Sequence, residues 1–147
     1  MRLILYYLLN FFVHFGKTYV LVSNGNEKWS KQTLNYYFPE KLDDKVNSNR
    51  SEFAKELKEA FDLWSNVSNL NFNEIESDSD ADIKVSFESR SHGDWFGNCS
   101  TCQFSFDGPG MVVAHSFPPE HLLKGKLHFD ADETWNTDYR KGITKLG

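Results

Sequence analysis

Three stretches decide the fold of this chain: His92-Gly-Asp94, Phe106-Asp-Gly-Pro-Gly-Met-Val-Val-Ala-His115 and Leu127-His-Phe-Asp-Ala-Asp-Glu133. They hold three of the five histidines, each beside or shortly after a carboxylate or a glycine-rich turn. Neutral imidazole and carboxylate are common zinc ligands, and a structural zinc is normally closed by four ligands in a tetrahedron. His92, Asp94, His115 and His128 supply four, two from one loop and one from each of two strands. A single histidine is more often a hydrogen-bonded core or surface residue, which is how His14 and His121 read. Three of them bracketed by Asp94, Asp107 and Asp130 point to a metal.

A second cluster is richer in oxygen. Asp107-Gly-Pro-Gly110 exposes backbone carbonyls on a tight turn, and Asp130 and Glu133 stand on either side of Ala131-Asp132. Calcium takes six to eight oxygens in loose geometry. The same residues also suit a plain turn with acids on a solvated rim, and spacing alone leaves both readings open.

Outward from these stretches, hydrophobic period assigns the elements. Leu34, Tyr36 and Phe38 alternate with polar or smaller neighbours and predict a strand over 33–38, stopped by Pro39. Over 49–65 the period becomes helical, with Phe53, Leu57, Ala60, Phe61 and Trp64 on one face. Asn49 followed by Glu52 resembles a capping box and starts that helix. Strands follow over 70–75 and 82–87, the second turning Ile83, Val85 and Phe87 inward; further strands are predicted over 111–117 and 125–129. Strand, helix, strand, strand in that order gives an α/β sheet covered by one long amphipathic helix. The loop over 88–107 is long enough to carry function or metal.

Composition bounds the rest. The 147 residues suit one domain with a core of its own, and 39% hydrophobic with 25% charged residues is ordinary globular material. Sixteen basic against twenty-one acidic residues leave a formal charge of -5 and no clustered Lys or Arg, which excludes a phosphate-binding surface and hence nucleic acid. The acids at Glu74, Glu76, Asp78, Asp80 and Asp82 read as a solvated loop or as a cation site. Cys99 and Cys102 form one C-x-x-C, open to a tight disulfide, a redox pair or half a zinc site.

At the amino terminus, Arg2 and the apolar run from Leu3 to Val13 read as the charged and hydrophobic regions of a secretory signal, too short to span a bilayer comfortably. No small-x-small cleavage site follows, so a buried strand or a misplaced start competes for residues 1–16. Three N-x-S sequons, at Asn49, Asn66 and Asn98, are compatible with secretion.

Taken in order, H-G-D, F-D-G-P-G, A-H and H-F-D-x-D-E-x-W make the chain resemble the first two thirds of a matrixin catalytic domain, the matrix metalloproteinase family within the metzincins. The likeness covers residues 17–147 and includes Ala60-Phe-Asp-Leu-Trp64 and Ala81-Asp-Ile83. It implies a twisted, mostly parallel mixed sheet with an antiparallel edge strand and one covering helix. By position it implies that His92, Asp94, His115 and His128 hold structural zinc. Likewise it implies that Asp107, Asp130 and Glu133, with the carbonyls of Gly108, Gly110 and Val112, hold calcium. The strand carrying Val112, Val113 and Ala114 would be the edge along which extended peptide substrate adds as a strand. The implied protein is a secreted, monomeric zinc endopeptidase acting on extracellular or matrix protein, without a membrane span.

Three departures qualify the likeness. The family's second calcium site would pair Asp82 with a turn that here reads Glu120-His-Leu-Leu-Lys-Gly-Lys126, and Lys124 and Lys126 would repel calcium. The stretch between Asp94 and Asp107 carries an insertion with Cys99 and Cys102, for which a disulfide is the expectation. Metzincin hydrolysis also needs H-E-x-x-H-x-x-G-x-x-H, and none of the five histidines is followed by glutamate. No catalytic residue is therefore assigned. The expectation is a truncated, inactive piece of a peptidase; the alternative is a non-catalytic, metal-stabilised module that binds peptide or matrix.

Overall fold

The computed structural model describes residues 28–46, 49–93, 104–119 and 121–135. The α/β architecture is as read: five strands, β1 (Thr33–Tyr37), β2 (Asn71–Ile75), β3 (Ile83–Glu88), β4 (Ala114–Ser116) and β5 (Lys126–Asp130), with one long helix, α1 (Arg50–Val67). The sheet runs β2-β1-β3-β5-β4. Its first four strands are parallel neighbours, and β4 closes the edge antiparallel to β5.

Alternation along the strands sorts side chains to two faces. Leu34, Tyr36, Ile83, Val85, Phe87, Leu127 and Phe129 are buried with Phe53, Leu57, Ala60, Phe61 and Trp64 of α1 in one core. Phe53 is its aromatic hub, with ring centroids 5.5 Å from Phe38, 4.9 Å from Phe87, 5.4 Å from Phe129 and 6.0 Å from Trp135. Edge-to-face and offset contacts at such distances add to the large area each ring buries. On the other face, His128 lies opposite His115 in the β4–β5 ladder and opposite Ser86 in the β3–β5 ladder.

The helix begins where Asn49 caps it, but the Asn49 amide oxygen accepts from the Ser51 N–H at 2.9 Å, one residue short of the anticipated box with Glu52. It runs two residues past 65 and ends as the Ser68 hydroxyl donates to the Trp64 carbonyl at 2.7 Å. The strand expected over 111–117 is only Ala114–Ser116. Met111 sits at φ 53° after Gly108 and Gly110, both at φ 90°, and that left-handed backbone cannot continue a strand. Val112 and Val113 thus belong to the approach, and Ala114 alone of the three lies in β4. Val113 packs against the core beside Ala114, on the face away from His115. The apolar amino-terminal run from Leu3 to Val13 lies outside the described residues. Among the described residues, no helix is long and apolar enough to cross a membrane.

Candidate metal centre

The β4–β5 ladder brings His115 and His128 face to face, and the chain after β3 returns His92 to the same spot. All three imidazoles are buried. One ligand atom from each lies within 4.8 Å of the others, and no other set of three His, Cys, Asp or Glu meets that limit among the described residues. His92 Nε2 stands 3.2 Å from His128 Nδ1, and His115 Nε2 stands 3.0 Å from the same nitrogen. Phe106 stacks on His92 at 5.2 Å and on His115 at 4.6 Å, walling the cluster from water together with Phe117.

The hydrogens on these rings do not suffice for their contacts. His92 Nδ1 lies 2.9 Å from the Arg90 carbonyl, which can only accept, so this nitrogen carries the proton and Nε2 of the neutral ring presents a lone pair. His128 Nδ1 faces two Nε2 atoms at once. If it donates, one proton is shared between two acceptors; if it accepts from His115, lone pair meets lone pair at His92. A cation where the three nitrogens converge satisfies them together. The donor set therefore fits a metal, and the Arg90 carbonyl plays the orienting part that metal-bound histidines usually find in a second partner. Asp94, the fourth expected ligand, lies outside the described residues, as do Cys99 and Cys102.

Asp107, Asp130 and Glu133 form the second cluster beside it. Asp130 is fully buried at the end of β5; its Oδ1 accepts from the Asp132 N–H at 2.8 Å, and Oδ2 has no hydrogen-bond partner among the described residues. The Glu133 carboxylate accepts from Gly110 N–H at 2.6 Å, and Asp107 Oδ1 accepts from Val112 N–H at 3.3 Å. Burial raises the Asp130 and Glu133 carboxyls above their ordinary range, and the negative charges around them, Asp107 among them, add to it. These carboxylates do not converge within 4.8 Å as the imidazoles do, so among the described residues only the histidines bring three ligand atoms together.

Arg90 escaped the sequence reading, and nothing in its neighbourhood of the sequence flags it. Its guanidinium donates to the Asp107 carbonyl at 2.5 Å and pairs with Asp132 at 3.4 Å, while its own carbonyl holds His92 and accepts from Phe106 N–H at 3.0 Å. A side chain at Gly108 would collide with that guanidinium. Lys45 approaches Asp132 from the other side at 2.9 Å, and its hydrogen bond is the main reason the Asp132 carboxyl falls below its usual range. One arginine thus ties the imidazole cluster to the oxygen-rich turn.

Asp82 is committed elsewhere: its carboxylate pairs with Lys31 at 2.7 Å and accepts from Asn35 N–H at 2.8 Å.

The sequence likeness can be set beside this geometry. Residues 28–146 match the family model described as Matrixin. The chain belongs to the matrixin family. It is 40% identical over 111 residues to matrix metalloproteinase-2 of Drosophila melanogaster, covering 76% of this chain and 13% of that protein. It is 37% identical over 119 residues to human neutrophil collagenase, covering 78% and 22%. Stromelysin-1 of Equus caballus is 37% identical over 114 residues, covering 78% and 21%. The chain therefore spans less than a quarter of the length of these curated relatives. As a matrixin it belongs among metallopeptidases, and its three clustered histidines can hold a metal ion.

Proposed function

We propose that these residues form the metal-stabilised, substrate-presenting part of a secreted matrixin-type zinc endopeptidase that acts on extracellular or matrix protein. The observation that carries this reading is the convergence of three buried imidazoles on one point. His92, His115 and His128, joined by Asp94, would hold a structural zinc; bound there, the metal supplies a crosslink between the loop after β3 and the β4–β5 pair. Asp107, Asp130 and Glu133, with the carbonyls of Gly108, Gly110 and Val112, would hold calcium. Val113 leads into β4 and Ala114 opens it, and the outer edge of β4 has no strand beside it among the described residues. An extended peptide can add there through backbone hydrogen bonds. The relatives named as collagenases support a protein substrate.

No H-E-x-x-H occurs in the sequence, which supports the reading that this segment presents peptide and does not itself cut it. The test is to load the purified chain with zinc and calcium, add an extended peptide, and follow both cleavage and backbone amide shifts. The reading expects no cleavage and shifts confined to the segment around Val113–Ser116. Turnover, or shifts spread away from β4, would contradict it.

A further inference from the structure

We infer that Asn66, in the last turn of α1, carries an N-linked glycan that covers an apolar patch on the exposed side of the helix. This inference rests on the secretory reading above. Asn66-Val-Ser68 satisfies the acceptor sequence. Asn66 is exposed, and its side chain makes no hydrogen bond among the described residues. Beside it stand Leu63, 43% exposed, and Val67, 77% exposed. These two lie four residues apart on one helix face, and Asn66, three residues after Leu63, borders that face. A bulky, strongly hydrated sugar attached beside these two exposed branched apolar side chains would cover them.

The competing sequon at Asn49 is already explained by folding. Its amide oxygen caps α1 and accepts from both the N–H and the hydroxyl of Ser51, at 2.9 and 2.8 Å. At the second sequon the capping falls to the serine alone, since Ser68 donates to the Trp64 carbonyl at 2.7 Å and accepts from Leu70 N–H at 3.2 Å. Capping accounts for Ser68 and leaves Asn66 without a structural role. Position also permits the sugar. The helix end leads directly into β2, which is the sheet edge opposite β4, so a glycan there leaves the proposed peptide-binding edge clear.

The full chain is expressed in insect cells in two forms, one with its own amino terminus and one behind a cleavable secretory leader. Glycans are removed enzymatically in heavy-oxygen water and the marked asparagines located by peptide mass mapping. In the leader-directed form, Asn66 is expected to be marked in most molecules; Asn66→Gln loses one glycan, and Ser68→Thr, which keeps both hydroxyl and cap, retains it. An unmarked Asn66 in that form overturns the inference, whatever other sequons carry. Marking with the leader but not with the native terminus upholds the acceptor site and overturns the secretory reading instead. For shielding, Asn66→Gln should bind more hydrophobic dye, and adding Val67→Ser should reverse this; equal dye binding with and without the glycan overturns the protective role.

Discussion

At the scale of single residues, the strongest constraints come from backbone and burial. Gly125, at φ 71°, lies against the carbonyl of Asp82, and a Cβ there would collide with backbone that cannot move aside. Gly125→Ala should therefore cost on the order of 3 kcal/mol, combining left-handed strain with the clash, read as a lower urea midpoint. Met111 shows the opposite case: it holds φ 53° while 89% exposed, so its side chain gains little from where it sits. Met111→Asn should stabilise by roughly 0.5–1 kcal/mol, because asparagine tolerates that conformation better; an unchanged midpoint would show the turn to be unstrained. Tyr36 reports on pH. Burial, then the charge of Glu74 nearby, raises its phenol above the ordinary value of 10.0. Above that pH the unfolded chain releases the proton while the folded chain keeps it, so stability falls as pH rises. Tyr36→Phe should flatten that alkaline loss, and an identical slope in the variant would refute the assignment.

At the scale of elements, α1 depends on its cap and its hub. Asn49→Ala should cost about 1 kcal/mol, and Phe53→Ala about 3–5 kcal/mol, since four aromatic neighbours would border the void; thermal unfolding of the two variants checks the order. This is also the scale at which the sequence was most legible. The period-two runs at Leu34–Tyr36 and Ile83–Phe87 and the helical run from Phe53 to Trp64 each marked a real element, because a buried face must repeat at the period of its backbone. The strand before His115 read too long because Met111, Val112 and Val113 have strand-forming composition, whereas backbone dihedrals inherited from the glycine turn decide where pairing begins. Val113, just before the regular alternation begins, packs against the core as Ala114 does. The histidines were legible as a group through sequence order and family likeness. Arg90 was not, since its importance lies in contacts with Asp107 and Asp132, 17 and 42 residues away along the chain.

At the scale of the whole molecule, one sheet face holds an aromatic core under α1, and the other holds three buried imidazoles with the buried carboxylate of Asp130 beside them. Burying polar groups costs free energy unless they are paired, so on the proposed reading a cation held by the three imidazoles would stabilise that second face. Metal affinity then becomes folding free energy. The most direct test is to count zinc in the purified chain and follow its melting temperature as a strong chelator is added, with His128→Ala alongside. The account predicts one zinc per chain, a marked fall in melting temperature on chelation, and a variant that holds no zinc and melts low with or without chelator. A chain that holds no zinc when supplied with it, or one whose melting temperature is indifferent to chelation, would contradict the account.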